Sequence, residues 1–200
     1  MFGYFPKASK SVLIVKDPSL LDQAKTAFAR VDIKITCDDQ RHLGAAIGTL
    51  TFRKEFVKEK VGKWVKYVEK LALFAEDEPQ AALTAFAKGV SCRWRYLQRT
   101  VPNIAEYFRL LEDAIRHKLI PSMLGREISD TERRIFALPY RYWGPAIRNP
   151  ITTADEEFQA SSMITAELTK AILNQEDDIS CLDNKACLLY TSDAADDLLC

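Results

Sequence analysis

At about residue 51, the spacing of apolar side chains changes from short β-branched runs to a period of about 3.6 residues, which is typical of amphipathic helices. The residues that follow this period are Phe52, Phe56, Val57, Val61, Trp64, Val65, Val68, Leu71 and Leu73. With 48% hydrophobic residues, the chain can bury a core. The sequence therefore predicts an α+β fold, in which a short sheet is followed by a mostly helical domain.

The first fifty residues predict a strand, a helix and two further strands. Residues 11–16 form an apolar, β-branched run that indicates a buried strand. Asp17-Pro18-Ser19 is typical of a helix start, and residues 32–36 alternate with period two, as a half-buried strand does. Residues 42–48 supply the last predicted strand. A sheet fragment of this size leaves an exposed edge, which suggests that a larger sheet once preceded it.

The rest of the chain predicts helices separated by short breaks. The predicted helices cover residues 51–75, 79–98, 103–119, about 129–138 and 152–175. Ser129 and Glu132 have the spacing of a capping box, and Pro79 suits the first turn of the second helix. Glycine and prolines make residues 140–150 an irregular loop.

Charge is unevenly distributed along the chain, although the formal net charge is zero. Residues 53–150 carry 19 basic and 12 acidic side chains, whereas residues 151–200 carry 2 basic and 11 acidic ones. A basic middle indicates a polyanionic partner. The alternative is a set of solvated helical faces of the kind that ordinary enzymes expose.

The cysteines and the hydropathy argue for an intracellular protein without a membrane segment. The five cysteines are odd in number, lie far apart and form no CxxC pair, so neither a disulfide framework nor a zinc site is indicated. No signal peptide is visible, and no apolar run approaches the roughly 20 residues that a membrane span needs. We expect a location in the cytoplasm or nucleus.

Two motifs near the start resemble the last two conserved blocks of a reverse-transcriptase palm. They are Gly3-Tyr4-Phe5-Pro6-Lys7-Ala8-Ser9-Lys10-Ser11 and His42-Leu43-Gly44-Ala45-Ala46-Ile47-Gly48. The resemblance implies that Lys10 stands beside the departing pyrophosphate as a leaving-group acid. It also implies that His42, Leu43 and Gly44 form the primer grip, where glycine allows close approach of the backbone.

The middle of the chain, residues 53–150, resembles the helical thumb and following region of non-LTR retroelement polymerases. The matching pieces are Glu78-Pro79-Gln80-Ala81-Ala82, Trp94 with Arg99, Leu111-Glu112-Asp113-Ala114-Ile115, and Glu132-Arg133-Arg134 before Leu138-Pro139-Tyr140-Arg141. A thumb presents cations to a duplex backbone, mostly without sequence preference. By this resemblance, the nucleic-acid-binding residues are Lys58, Lys63, Lys66, Arg93, Arg95 and Arg99.

One segment departs from the family. Members usually continue after the Leu-Pro string with a Gly-Gly-Leu-Gly-Ile turn, where this chain has Trp143-Gly144-Pro145-Ala146-Ile147. Trp143, Pro145 and Ala146 are poor replacements wherever positive φ or tight packing is required. For Trp64, Trp94 and Trp143 we expect core packing rather than stacking on nucleic acid.

No cofactor or metal site is expected in this chain. His42 and His117 lie far apart, and the pairs Asp38-Asp39 and Asp177-Asp178 stand in polar surroundings, unlike a polymerase aspartate pair between apolar strand residues. The resemblance places the catalytic aspartates, and the Mg²⁺ of the intact enzyme, upstream of the Lys10 motif.

The last residues do not fit the rest. Residues 187–197 resemble the translation of a transposase-based sequencing adapter, which continues without period or cap to Cys200. We therefore predict a non-native or disordered tail over residues 180–200.

The motifs together divide the rest of the chain into two parts. We predict a palm end over residues 1–50 and a thumb-like helical domain over residues 51–179.

The sequence thus favours a fragment of a retrotransposon RNA-directed DNA polymerase. Its expected partners are an RNA–DNA hybrid or template-primer and the upstream remainder of the polymerase. Without the aspartates, it is expected to be inactive alone. The alternative is a non-catalytic helical module that binds nucleic acid or protein without polymerase ancestry.

Overall fold

The structure, a computed structural model, describes residues 7–42 and 44–175. Leu43, the Gly3–Pro6 part of the first motif and the whole predicted tail lie outside the described residues. The chain divides into two compact units, residues 1–53 and 54–200. The fold is mostly helical α+β, as the sequence predicts.

The first unit contains two small sheets. Strands β1 (Val12–Ile14) and β2 (Lys34–Thr36) pair in parallel, with Val12 opposite Lys34. A 3₁₀ turn (Pro18–Leu20) and helix α1 (Leu21–Ala27) connect these two strands. Strands β3 (Gln40–His42) and β4 (Ala45–Ile47) form a separate antiparallel hairpin.

The expectation that the first strand is buried was wrong. Val12 is 45% exposed, and Leu13 and Ile14 are only half-buried. In the part of the chain that the structure describes, this sheet has two strands of three residues each. So small a surface cannot enclose its own side chains, and α1 itself contributes no fully buried residue.

Helix α2 (Leu50–Ala75) confirms the long periodic segment. Val57, Val61, Trp64 and Val68 recur at intervals of three and four residues, and all four are buried. Leu73 is 69% exposed, contrary to expectation, because it lies five residues after Val68 and therefore about 140° round the helix.

The remaining helices of the second unit include two π-helical segments. One of these interrupts the predicted second helix. The other forms the last five residues of the predicted third helix, and the chain remains helical beyond it. In chain order, the elements are α3 (Pro79–Ala85), a π segment (Phe86–Val90), α4 (Cys92–Thr100), a 3₁₀ turn (Ala105–Phe108), α5 (Arg109–Ala114), a π segment (Ile115–Leu119), α6 (Ile120–Leu124), α7 (Asp130–Ala137), a 3₁₀ turn (Tyr140–Tyr142) and α8 (Pro150–Asn174). Among the described helices, none combines the length and apolar character that a membrane span requires.

An aromatic cluster forms part of the core of this unit. Trp64 packs against Trp94 with ring centroids 6.1 Å apart, and against Phe108 at 6.3 Å with nearly parallel planes. Phe86 completes the cluster, 5.9 Å from Trp94. Core packing of Trp64 and Trp94 is therefore confirmed, since both are buried.

For Trp143, the expectation of core packing was wrong, because this side chain is 96% exposed. It lies at the tip of the loop between α7 and α8. The buried positions of that loop are taken by Gly144 and Ile147 instead.

A buried ion pair joins α5 to α7. The Arg133 guanidinium donates to both oxygens of Glu112, from Nε to Oε1 and from Nη2 to Oε2, each at 2.7 Å. Its Nη1 donates to the Ile147 carbonyl at 2.8 Å, so the pair also holds the loop before α8. The segments around Glu112 and Arg133 thus meet inside the fold.

Helix α7 begins with the predicted capping box. Ser129 Oγ accepts from the Glu132 N–H, and Glu132 Oε2 accepts from the Ser129 N–H at 2.8 Å. Hydrogen bonds from the Arg126 guanidinium and from the Ser129 N–H and hydroxyl lower the pKa of Glu132 to about 2, from its usual 4.5.

The stability that this cap contributes should depend on pH. Because the folded-state pKa is the lower one, the contribution is present above pH 4.5 and is lost as the pH falls through about 2. Carboxyl ¹³C NMR of Glu132 should show a midpoint near 2, and Arg126→Ala should raise it. Titration of the unsubstituted chain near 4.5 would contradict the prediction.

Candidate nucleic-acid interface

One exposed face of α2 collects basic side chains. Lys63, Lys66, Tyr67 and Lys70 stand at positions i, i+3, i+4 and i+7, and all four are exposed. This spacing places them in one row along a helix, on the side away from Val57, Val61 and Val68. We call this row, together with Arg93, the basic face.

Helix α4 supplies the remaining cation of the basic face. The Arg93 guanidinium carbon lies 5.0 Å from the centre of the Tyr67 ring, within the range of a cation–π interaction. Glu59 partly neutralises the row, since its Oε1 accepts from Lys63 Nζ at 2.6 Å. Among the described residues, Lys66, Lys70 and Arg93 form no ion pair with a carboxylate.

The dimensions of the basic face suit a nucleic-acid backbone. Seven residues separate Lys63 from Lys70, which corresponds to about 10 Å along the helix axis. Over that distance, one strand of a duplex carries about three phosphates. Exposed ammonium groups on a rigid helix can contact such phosphates without reading the sequence.

Lys58, a predicted contact, does not join the basic face. It lies nine residues before Tyr67, about half a turn round the helix from it. Its Nζ lies 5.4 Å from the centre of the Tyr107 ring, so it extends over a different surface of the second unit.

Arg95 and Arg99, two further predicted contacts, lie beside a carboxylate of α8. Arg99 Nε donates to Glu157 Oε2 at 2.7 Å, and Arg95 Nε lies 3.6 Å from Glu157 Oε1. Arg148 Nη1 also lies 4.0 Å from Glu157 Oε1. The Glu157 side chain is only 13% exposed. These arginines therefore connect α8 both to α4 and to the loop that precedes α8.

Gln98, between those arginines, strengthens the same contact. This buried side chain donates from Nε2 to the Pro150 carbonyl at 2.8 Å and to Thr153 Oγ1 at 3.2 Å. The buried amide of Gln98 is therefore hydrogen-bonded across the contact between α4 and α8.

The predicted primer-grip residues fall on the hairpin of the first unit. His42 is the last residue of β3 and pairs with Ala45 of β4. Leu43 lies outside the described residues, and Gly44 has φ of 86°, a conformation that favours glycine. The structure therefore brings His42 and Gly44 to one hairpin turn.

Gly48 of the same motif has a structural role. Its φ is 147°, and a Cβ added there would come within 2.8 Å of Asp39 Cγ and 2.9 Å of Asp39 Cα. The Asp39 carboxylate accepts from the Thr49 N–H at 2.5 Å and from the Thr49 hydroxyl at 2.9 Å. Glycine is required where the chain passes this close to Asp39.

Lys10, the residue that the resemblance marks as a leaving-group acid, ends a 3₁₀ turn (Ala8–Lys10) just before β1. Its side chain is exposed. It precedes the first strand of the parallel sheet, whereas His42 and Gly44 belong to the antiparallel hairpin, which is a separate sheet.

The carboxylates of the described chain do not form a Mg²⁺ site. Within residues 7–42 and 44–175, no group of three or more His, Cys, Asp or Glu side chains converges. The donor sets that two-metal nucleotidyl transfer needs are therefore not assembled from these residues.

Sequence reasoning missed two members of the basic face as site residues. Lys70 and Tyr67 complete the row that begins with Lys63 and Lys66, and the i, i+3, i+4, i+7 spacing is visible in the sequence. The stacking of Arg93 on Tyr67 could not be foreseen, because it depends on how α4 packs against α2. Comparisons of this chain with protein families, curated proteins and solved structures find no match.

Proposed function

We propose that this chain is the C-terminal part of a retroelement reverse transcriptase of non-LTR type. In this proposal it grips the primer and binds the RNA–DNA hybrid, while the catalytic aspartates and their Mg²⁺ belong to the upstream part of the enzyme. The ordered motifs support the family, and the basic face supports the binding role. The purified chain alone should not incorporate dNTPs in a template-directed reaction.

The observation that carries the proposal is the row Lys63, Lys66 and Lys70 with Arg93 beside it. A row of this kind binds through phosphates, so the affinity should be independent of sequence and should fall steeply with salt. We expect a dissociation constant of about 10⁻⁴–10⁻⁶ M at physiological salt, as for other non-specific complexes.

Charge removal from the basic face should lower the salt dependence of hybrid binding. Lys66→Gln and Lys70→Gln should each weaken binding and reduce the slope of log K against log salt by about 0.9. Fluorescence anisotropy with a labelled RNA–DNA hybrid, between about 50 and 200 mM salt, measures both quantities.

The matched control is Lys170→Gln, which removes an exposed lysine from α8, outside the basic face. Its slope should equal that of the unsubstituted chain. Equal slopes for Lys66→Gln, Lys70→Gln and Lys170→Gln would exclude the basic face as the binding surface. Absence of any hybrid binding at about 50 mM salt would instead favour a module that interacts with proteins.

A further inference from the structure

The loop between α7 and α8 exposes aromatic rings at its tip. Trp143 is 96% exposed and Tyr142 is 59% exposed, with Tyr140 and Arg141 also on the surface. The other two tryptophans of the chain are buried in the aromatic cluster. We call residues 140–143 the aromatic tip.

The backbone of the aromatic tip is strained. Trp143 has φ of 62°, a left-handed conformation that is a genuine outlier for a bulky side chain. Nothing in the described fold packs on the ring in return. Strain of this kind persists where the surrounding structure enforces it, and it concentrates at functional sites.

The surrounding structure holds the tip rigidly. The Trp143 N–H donates to the Tyr140 carbonyl at 2.9 Å, and the Ala146 N–H donates to the Leu138 carbonyl at 3.0 Å. Ile147, which is fully buried, donates to the Phe136 carbonyl at 2.8 Å. Because the loop is fixed at both sides, little conformational entropy would be lost when a ligand covers the ring.

The charge near the tip selects the class of ligand. Residues 133–154 contain no acidic residue and four arginines, of which Arg133 pairs with Glu112 and Arg148 lies 4.0 Å from Glu157. The other two, Arg134 and Arg141, are exposed. The Arg141 guanidinium lies 5.1 Å from the centre of the Tyr142 ring, so a cation stands beside the exposed aromatics. Aromatic rings interleaved with arginine suit unpaired bases, which stack on the rings while their phosphates meet the cation.

We propose that the aromatic tip binds unpaired nucleotides of single-stranded RNA or DNA, with one base stacked on Trp143. The inference rests on the proposed function only for the class of partner, a nucleic acid. It adds a second binding mode, because the basic face contacts the phosphates of a duplex whereas the tip contacts bases outside it.

Trp143→Gly separates this role from a structural one, because binding and stability should change in opposite directions. Glycine tolerates positive φ, so the variant should melt at a higher temperature than the unsubstituted chain. It should bind oligo(dT) and oligo(U) at least about fivefold more weakly, since stacking on an aromatic ring contributes about 1–3 kcal/mol per base.

The matched control is Ala146→Gly in the same loop. Ala146 has φ of 55°, so this variant relieves the same kind of strain and keeps every ring. It should also melt at a higher temperature, but its affinity for both oligonucleotides should be unchanged. In the unsubstituted chain, oligonucleotide addition should quench the fluorescence of the exposed Trp143, and Trp143→Gly should abolish this change.

Equal affinities of Trp143→Gly and Ala146→Gly for both oligonucleotides would overturn the inference. Quenching by anionic lipid vesicles but by neither oligonucleotide would overturn it as well, and would assign the tip to a membrane surface. If the unsubstituted chain does not bind the hybrid but shows Trp143-dependent quenching by an oligonucleotide, the proposed function is rejected and the inference about the aromatic tip stands. If hybrid binding depends on Lys66 and Lys70 but no Trp143-dependent quenching occurs, the inference about the aromatic tip is rejected and the proposed function stands.

Discussion

Arg133→Ala is expected to lower the free energy of unfolding by about 3–5 kcal/mol, since it leaves the Glu112 carboxylate buried without its partner. The two side chains are only 6% and 9% exposed, and the guanidinium donates to both carboxylate oxygens. The substitution also removes the donor to the Ile147 carbonyl. Urea unfolding at neutral pH measures the loss.

Arg134→Ala is the matched control for this prediction. Arg134 is the neighbouring residue on α7 and is exposed, so its loss should change stability by less than about 0.5 kcal/mol. A double variant, Glu112→Leu with Arg133→Met, should recover most of the stability because it leaves no buried charge unpaired. If Arg133→Ala and Arg134→Ala unfold at the same urea concentration, the ion pair between Glu112 and Arg133 does not stabilise the fold.

Gly144→Ala should destabilise the second unit by about 3 kcal/mol, at the upper end of the range for overpacking. A Cβ added to Gly144 would come within 2.5 Å of Leu138 Cβ and 2.6 Å of the Leu138 carbonyl carbon, and closer still to the carbonyl oxygen. That oxygen cannot move aside easily, because it accepts the hydrogen bond from the Ala146 N–H.

Gly62→Ala is the control for added volume. A Cβ at Gly62 meets no atom within 4 Å, and the residue lies inside α2. Alanine should therefore raise the free energy of unfolding by up to about 1 kcal/mol, because it favours the helix. Thermal unfolding of both variants tests the pair, and equal melting temperatures would contradict the predicted clash.

The loop between α7 and α8 contains two kinds of constrained position. Trp143 and Ala146 both have positive φ. Gly144 is the position where a side chain does not fit. Glycine therefore stands where a Cβ would clash, whereas the two positions with positive φ carry other residues and are strained.

Features that depend on neighbouring residues could be predicted from the sequence. The capping box of Ser129 and Glu132, the period of α2 and the breaks at proline all arise from contacts within a few residues. The hydrogen bonds that position α7 and α8 join residues far apart, 21 positions for Glu112 and Arg133 and 58 for Arg99 and Glu157. No local pattern specifies such pairs.

The candidate site shows the same division. The row of lysines on α2 follows from helical spacing, so most of the basic face was visible in the sequence. The association of Arg95 and Arg99 with Glu157, and the exposure of Trp143, depend on how helices and loops pack together. Apolar character alone predicted burial for Trp143, but this residue has positive φ in an exposed part of the loop and lies in solvent.

The π segment between α3 and α4 explains how two distant rings of the core meet. Phe86 and Trp94 are eight positions apart, which in an uninterrupted α-helix would set them about 80° apart round the axis. The wider turn, closed by the Ser91 N–H on the Phe86 carbonyl at 2.9 Å, accommodates one additional residue. The two rings consequently lie on one side, as residues seven apart do in a regular helix. The π segment thus accommodates its additional residue inside the helix without rotating the buried face.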